Sequence, residues 1–183
     1  MSHLRLLHAP APQVTSDEAC LEAFQSELDY IHRTLRRLGT SPSEVDDLAQ
    51  ELFLVLRGCW ADYDESRPLR PYLFGIAFRI AAAQHRKRKR EIAFAVVEID
   101  DDGPAPDDAL QTKQARALVL AALERIPLPR RAVLVMHDID GVAVESVAAV
   151  LKIPKFTVYS RLRKARRELE AAVRRLTSEA RAR

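Results

Sequence analysis

The chain has 183 residues, of which 48% are hydrophobic and 30% are charged, a balance typical of one ordinary folded domain or two small ones. No apolar run approaches the ~18 residues of a membrane-spanning helix, and the start of the chain does not predict a signal peptide, so we expect a cytoplasmic protein. Cys20 and Cys59 are isolated thiols, which excludes a disulfide framework or a CxxC metal site. Only 5 glycines and few β-branched runs predict an all-α fold.

The formal net charge is only +3, but the charges are segregated along the chain. Basic residues concentrate at 86–90 and 152–167, and acidic residues concentrate at 44–51 and 98–108. A local basic patch attracts polyanions even when the total charge is modest. We therefore expect two kinds of partner, one of them a nucleic acid.

The first third of the chain predicts an arm and two helices. Residues 1–16 contain proline and lack helical periodicity, so we expect a flexible arm. From Asp17, apolar residues recur at spacings of three and four and predict one helix ending at Gly39. Its inward residues are Leu21, Phe24, Leu28, Ile31 and Leu35.

A second helix is predicted after Pro42, with Ser43 as its cap. Its expected buried side comprises Val45, Leu48, Leu52, Val55 and Leu56, and its other face carries Asp46, Asp47, Gln50 and Glu51. That acidic face is either simply solvated or a docking surface for a basic or amphipathic partner helix.

Residues 59–71 mix aromatic, acidic and basic side chains with two prolines. Trp60 and Tyr63 are compatible with core packing and equally with a platform on which unpaired bases stack beside arginines. The helix predicted after Pro71 directs Leu73, Ile76, Ala77, Ile80 and Ala81 inward and ends in cations at 86–90. Those cations suit phosphate contacts, although a solvated tail is the alternative.

Residues 98–108 are acidic and contain proline and glycine, which predicts a linker between two basic units. Four helices are expected after it. The first carries Val119, Ala122, Leu123 and Ile126 inward, prolines precede the second, and Asp140 and Gly141 form the turn into the last pair.

Residues 141–169 predict a helix-turn-helix unit. The first helix directs Val144, Val147, Ala148 and Leu151 inward, Pro154 marks the turn, and the second helix directs Val158, Leu162, Ala165 and Leu169 inward. Cations cover much of the second helix elsewhere, so it suits the major groove of DNA. A solvated basic hairpin is the alternative, but the turn, its proline and the one-sided charge together favour DNA binding.

With these motifs in place, the chain resembles the extracytoplasmic-function sigma factors, small promoter-specificity subunits of bacterial RNA polymerase. The resemblance rests on DDLAQELFLVL at 46–56, on the segment 67–91 and on the segment 122–169. It implies two small helical domains, a sigma-2-like bundle at 17–92 and a sigma-4-like helix-turn-helix domain at 113–176. A flexible acidic linker at 93–112 would join them, and 177–183 would form a tail.

The resemblance also implies roles for individual residues. Core polymerase would bind Asp47, Gln50, Glu51 and Phe53. The downstream promoter element, as melted strand, would meet Tyr63, Arg67, Arg70, Tyr72, Arg79, Arg86, Lys87, Arg88, Lys89 and Arg90. The upstream element, as duplex, would meet Lys155, Phe156, Thr157, Tyr159, Ser160, Arg161, Arg163, Lys164 and Arg167. An anti-sigma factor is a further expected partner, and no cofactor is expected.

The chain departs from the family pattern at four positions. Phe156 replaces a common glycine, Arg79 and Ala83 replace the usual asparagine and aspartate, and Tyr72 replaces a tryptophan. These departures bear on which promoter is read and leave the expected polymerase contact unchanged.

A stand-alone regulator and an enzyme are the alternatives to a sigma factor. A stand-alone helix-turn-helix regulator would need neither the acidic DDLAQE face nor the basic 86–90 run. An enzyme would need convergent catalytic groups, but the 5 histidines are scattered, without metal spacing or a phosphate-binding loop.

Overall fold

The computed structural model describes residues 16–64, 66–92 and 109–181 and places eight α-helices there. The first half contains α1 (Ser16–Ser26), α2 (Leu28–Arg37), α3 (Val45–Gly58) and α4 (Leu69–Ile92). The second half contains α5 (Ala109–Glu124), α6 (Leu128–Leu134), α7 (Val144–Leu151) and α8 (Lys155–Arg181). The predicted all-α fold is confirmed. Within the described ranges, no helix combines the length and apolar character needed to cross a bilayer.

In the first half, α2, α3 and α4 pack against one another, and α1 lies against α3. The predicted inward residues of α4 are all buried, because they recur on one side of a regular helix. On α3 the buried set includes Ala49, whereas Val55 is 40% exposed, contrary to prediction. Ser43 does not cap α3 either. A short 3₁₀ turn, Pro42–Glu44, precedes that helix, and the Ser41 hydroxyl donates to the Glu44 carboxylate within it.

The prediction of one continuous helix from Asp17 to Gly39 is wrong. The chain forms two helices separated at Glu27, whose amide donates to the carbonyl of Phe24 in a tightened turn. Because of this break, α1 has its own orientation. Leu21 is 42% exposed, contrary to prediction, and the neighbouring Cys20 is fully buried in its place.

In the second half, α8 packs against α5, α6 and α7. A single turn of wider π-helix, Val135–Ile139, extends α6. The predicted inward residues of α7 and α8 are buried or partly buried in the core, whereas Val119 of α5 is 44% exposed, contrary to prediction. The predicted arm covers 1–16, of which residues 1–15 lie outside the described residues and Ser16 begins α1. The predicted linker at 98–108 also lies outside the described residues. Helix α5 begins at Ala109, before the domain boundary expected at 113.

The two halves contact each other directly, which the sequence did not indicate. Helix α4 packs against α7 and α2 packs against α5, and the buried residues of both halves form one hydrophobic cluster. Gly75 of α4 lies close to α7, since an added Cβ would lie 3.1 Å from Cγ1 of Val150. We refer to this contact region, together with Arg131 and Asp140, as the seam.

Arg131 is the central polar residue of the seam and is only 3% exposed. Its Nη1 donates to the carbonyl of Leu38 at 2.7 Å, and its Nη2 donates to the carbonyl of Glu124 at 2.7 Å. The guanidinium thus lies at the C-terminal ends of α2 and α5, where helix dipoles are negative. Burial lowers the pKa of Arg131. Gly39 completes this arrangement, since its φ is +93° and an added Cβ would lie 2.2 Å from Arg131 Nη1.

Asp140 forms the second polar contact across the seam. Tyr30 Oη donates to one of its carboxylate oxygens at 2.9 Å, and Arg37 Nη1 donates to the other at 3.0 Å. Burial raises the pKa of Asp140, against the opposing effects of Tyr30 and Arg37. Burial, followed by the Asp140 charge, also raises the pKa of Tyr30. The seam therefore contains buried polar groups that satisfy one another across the two halves.

Candidate nucleic-acid and protein interfaces

Helix α3 presents an acidic face to solvent. Asp47, Gln50 and Glu51 are exposed on one side of the helix, as the sequence predicts. Phe53 differs from them, because it is half-buried and its ring packs against Phe24 with centroids 4.9 Å apart. Leu54 is instead 62% exposed and lies one to two turns from the three polar residues on the same stripe. Sequence reasoning overlooked Leu54, although its spacing of i+7 from Asp47 could have indicated it.

An aromatic cluster lies where the chain enters α4. The rings of Trp60 and Tyr63 stack with centroids 5.2 Å apart, and those of Tyr63 and Tyr72 lie 5.0 Å apart. All three side chains are half-buried. Tyr72 Oη donates to Cys59 Sγ at 3.0 Å, and burial, followed by this bond, raises the pKa of Tyr72 to about 12. The cluster both packs on the core and leaves part of its ring surface open to solvent.

Two arginines near this cluster have local acidic partners. Arg67 Nε lies 3.1 Å from Asp64, whose pKa is lowered chiefly by hydrogen bonds from Ser66. Arg70 Nε lies 2.9 Å from Glu27, and its guanidinium lies 5.3 Å from the centroid of the Tyr30 ring. The Arg67–Asp64 pair is largely exposed, so it costs little to open toward another anion. In the second pair the Glu27 side chain is only 18% exposed.

The C-terminal part of α4 carries the cationic run at 86–90 on its exposed surface, together with Arg79 further back along the helix. Arg88 lies 3.9 Å from Glu44, and Gln84 donates to the same carboxylate at 2.7 Å. The hydrogen bond from Ser41 is the main cause that lowers the pKa of Glu44. These contacts hold the C-terminal part of α4 against the turn before α3. The cations at 86–90 of α4 are exposed to solvent.

Helix α8 has one buried side and one exposed side. Val158, Leu162 and Ala165 are buried against the rest of the helix-turn-helix unit. The predicted upstream residues occupy the exposed side or its edges, with Thr157 and Arg161 half-buried at the edges. The fully exposed members are Lys155, Phe156, Tyr159, Ser160, Arg163, Lys164 and Arg167.

The entry to α8 has a well-defined geometry. Lys152 adopts a left-handed conformation with φ of 52° after α7, and the amides of Thr157 and Val158 donate to the Pro154 carbonyl. Lys155 Nζ donates to Glu145 of α7 at 3.0 Å, and this bond is the main cause that lowers the pKa of Glu145. The relative orientation of α7 and α8 is thus held by the turn and by a surface ion pair.

Two further ion pairs hold α8 to α6 and the π turn. Arg166 donates two hydrogen bonds to Asp138, at 2.8 and 2.7 Å, and Arg130 donates two to Glu168, at 2.8 and 2.7 Å. The bond from Arg166 is the main cause that lowers the pKa of Asp138. Arg166 therefore has a structural partner. Arg163, three positions earlier, faces outward and has no ion-pair partner among the residues that the structure describes.

No group of three or more His, Cys, Asp or Glu side chains is placed to hold a metal ion in the described part of the chain. The chemistry of the exposed faces is instead that of binding. An acidic face with one leucine, a half-open aromatic cluster and two cationic helix surfaces are presented by one chain.

Each half of the chain matches a protein-family model. Residues 23–91 match the family model described as Sigma-70 region 2, and residues 116–169 match the model described as Sigma-70, region 4. The first match contains α2, α3 and most of α4, with the acidic face and the aromatic cluster. The second contains the helix-turn-helix unit.

Individual proteins show the same likeness over most of their length. The chain is 28% identical over 142 residues to the RNA polymerase sigma factor NccH of Alcaligenes xylosoxydans xylosoxydans, covering 74% of this chain and 76% of that protein. It is 26% identical over 157 residues to the ECF RNA polymerase sigma factor SigW of Bacillus subtilis strain 168, covering 80% and 84%.

A solved structure shares the fold. The sigma factor RpoE of Bartonella quintana, crystallised with the anti-sigma factor NepR, superimposes with a TM-score of 0.62 at 23% identity. The match covers 84% of this chain and 98% of that one. The arrangement of helices described above is therefore shared with a known protein.

Proposed function

The chain belongs to the sigma-70 family of RNA polymerase sigma factors, in its extracytoplasmic-function group, and from this membership we propose a role for each exposed face described above. As a sigma factor the chain binds core polymerase and promoter DNA and confers promoter recognition at transcription initiation. The observation that carries the proposal is that one chain presents an acidic helix face together with two separate cationic surfaces. We further propose that it acts as a nonenzymatic subunit in the cytoplasm, where polymerase and promoter DNA meet.

The acidic face of α3 is the proposed contact with core polymerase. Asp47, Gln50 and Glu51 supply carboxylate and amide groups that suit a basic or amphipathic partner helix. Leu54 adds an apolar contact on the same stripe, at 62% exposure. Phe53 supports the face from beneath through its packing on Phe24, so we assign it positioning of the helix rather than direct contact.

The start of α4 is the proposed site for the melted downstream strand. Half-open rings of Trp60, Tyr63 and Tyr72 can stack unpaired bases, which is worth roughly 1–3 kcal/mol per base in proteins that bind single strands. Arg67 and Arg70 lie beside the cluster, and Arg79 and the cations at 86–90 extend the positive surface along α4. A phosphate would then replace Asp64, the exposed carboxylate partner of Arg67.

The exposed side of α8 is the proposed reader of the upstream duplex. In helix-turn-helix proteins the N-terminal residues of the second helix contact base edges. Here those residues are Phe156, Tyr159 and Ser160, and Arg163, Lys164 and Arg167 follow them with charges suited to phosphates.

An anti-sigma factor is a further proposed partner. The support is indirect, since the Bartonella quintana sigma factor of like fold was crystallised with one. Such a partner acts by covering the surfaces that polymerase needs, the first of which is the α3 face.

The proposed polymerase contact is tested by reversing the charge of the α3 face. We expect Asp47→Arg combined with Glu51→Arg to weaken binding to core polymerase at least tenfold, because like charges then oppose the partner helix. The matched control is Glu22→Arg, an exposed acid on α1 outside this face. Competition binding against a labelled reference sigma factor measures both. Equal affinities for the double variant and the control would contradict the assignment.

A further inference from the structure

Phe156 is an exposed aromatic residue at the point where α8 would meet bases. Its side chain is 74% exposed, more than any other large hydrophobic residue in the described part of the chain. A phenyl ring left in water is unfavourable, since removing apolar surface from water lowers the free energy.

The ring stands at the head of a stripe directly opposite the buried side of α8. Phe156, Ser160, Arg163 and Arg167 follow the spacing i, i+4, i+7 and i+11, so they lie on one face at about 100° per residue. Val158, Leu162 and Ala165 lie on the other side and are buried. A duplex that receives this face therefore meets the phenyl ring first and the arginines further along.

The backbone at Phe156 is held by the turn before it. The Pro154 carbonyl accepts from the amides of Thr157 and Val158, and Lys155 is paired with Glu145 at 3.0 Å. The first turn of α8 is thus anchored on both sides of Phe156. Only the rotation of the ring about its own side-chain bonds remains, which favours a contact of defined geometry.

The surroundings of the ring indicate the kind of occupant. Its neighbours on the exposed face are Lys155, Tyr159, Ser160 and Arg163, which are cationic or carry hydroxyl groups. A protein partner would be favoured by a wider apolar patch, whereas two exposed rings, those of Phe156 and Tyr159, inside a cationic face suit DNA. A phenyl ring has no hydrogen-bonding group. On base edges in the major groove, it can select only the apolar C5-methyl group of a pyrimidine.

We propose that Phe156 reads the C5-methyl group of a thymine in the upstream promoter duplex, packing its ring against that methyl group at the floor of the major groove. This inference rests on the proposed reading of duplex DNA by α8. It makes Phe156 a specificity-determining residue that selects by apolar contact, in a helix whose other exposed groups act through charge and hydrogen bonds.

The test uses the full chain assembled with core polymerase. A duplex library randomised over the upstream element is selected for binding, and each thymine of the selected sequence is then replaced singly by deoxyuridine, which lacks only the methyl group. At one or two positions we expect about fourfold weaker binding, the loss for one buried methyl-sized group. Phe156→Ala should bind the thymine duplex about as weakly as the unmodified protein binds the deoxyuridine duplex. Replacing the thymine by deoxyuridine should not weaken binding by Phe156→Ala any further, as a double-mutant cycle requires.

Two controls separate methyl recognition from other roles. Val119→Ala removes an exposed apolar side chain of α5, away from α8, and should retain the full response to deoxyuridine. At the sensitive position, 5-methylcytosine should bind about fourfold tighter than cytosine to the unmodified protein and equally to Phe156→Ala. The salt dependence of binding should be the same for Phe156→Ala and the unmodified protein, because no phosphate contact is lost.

Three results would overturn the inference. Binding that is insensitive to deoxyuridine at every thymine would show that no methyl group is read. Retained sensitivity in Phe156→Ala would assign the reading to another residue. Failure to select any preferred duplex would refute the duplex-reading role of α8 and the inference with it, whereas the first two results refute the inference alone.

Discussion

The seam and the exposed side of α8 use the same residue types for opposite purposes. In the seam, Arg131 is buried and Asp140 is half-buried, and each has hydrogen-bond partners from the other half of the chain. On α8, Arg163 and Arg167 project into solvent. Phe156 and Ser160 lie on the same exposed side of the helix. The comparison shows that charge alone does not indicate a binding site. Its partners in the folded chain decide whether it stabilises the fold or is available to a ligand.

The helical faces were predictable because their signal is local. On α4, α7 and α8, apolar residues recur every three or four positions, so the buried side follows from the sequence alone. The exposed side of α8 and the acidic side of α3 follow as the complements. These faces carry most of the proposed function, which is why the sequence predicts the candidate interfaces well.

The seam could not be predicted, because its contacts join distant positions. The Arg131 and Leu38 partners are 93 residues apart, and Asp140 is 110 residues from Tyr30. No local period marks such pairs. The break at Glu27 was missed for a related reason, since the apolar spacing continues through it and only the tightened turn interrupts the helix. Val55 and Val119 continue their stripes to positions at the edge of the packed surface, where they are 40% and 44% exposed.

The largest expected effect concerns Arg131. Replacement by alanine removes a buried donor from carbonyls at the ends of two helices and leaves a void. We expect the free energy of unfolding to fall by about 3 kcal/mol, measured by urea denaturation. The control is Arg130→Ala, whose half-exposed pair with Glu168 should cost no more than about 1 kcal/mol. Equal losses would mean that the buried contact is not the stronger one.

A smaller effect distinguishes two arginines on α8. Arg163→Ala should reduce the slope of log K against log salt for duplex binding by about 0.9, the value for one phosphate contact. Its free energy of unfolding should change by less than about 0.5 kcal/mol. Arg166→Ala should lower the free energy of unfolding, because the pair with Asp138 is lost. It should leave the salt slope of duplex binding unchanged. A reversed pattern would exchange the two roles.

The smallest effect is a difference in pH dependence between two aspartates. The pKa of Asp138 is lowered, so its contribution to stability is complete above its ordinary pKa of 3.8 and is lost as the pH falls through the folded value. The pKa of Asp140 is raised, so stability falls as the pH rises from 3.8 to the folded value. We compare the free energy of unfolding of each variant with that of the unmodified protein at the same pH. For Asp140→Asn this difference should become more favourable to the variant as the pH rises above 3.8. For Asp138→Asn it should become less favourable to the variant as the pH rises toward 3.8.

Denaturation by urea across the acid range measures both variants. Slopes of the same sign would show that the seam carboxylate and the α8-paired carboxylate lie in similar environments. That result would remove the electrostatic part of the comparison between the two regions.

The central claim is that this one chain joins a polymerase-binding face to two promoter-binding surfaces. Run-off transcription tests it most directly, with purified chain, core polymerase and fragments that cover the promoters of the native genome. We expect transcripts with defined starts only when chain and core polymerase are both present, and we expect the Asp47→Arg, Glu51→Arg variant to abolish them. Background transcription from every fragment in the presence of active core polymerase would contradict the account.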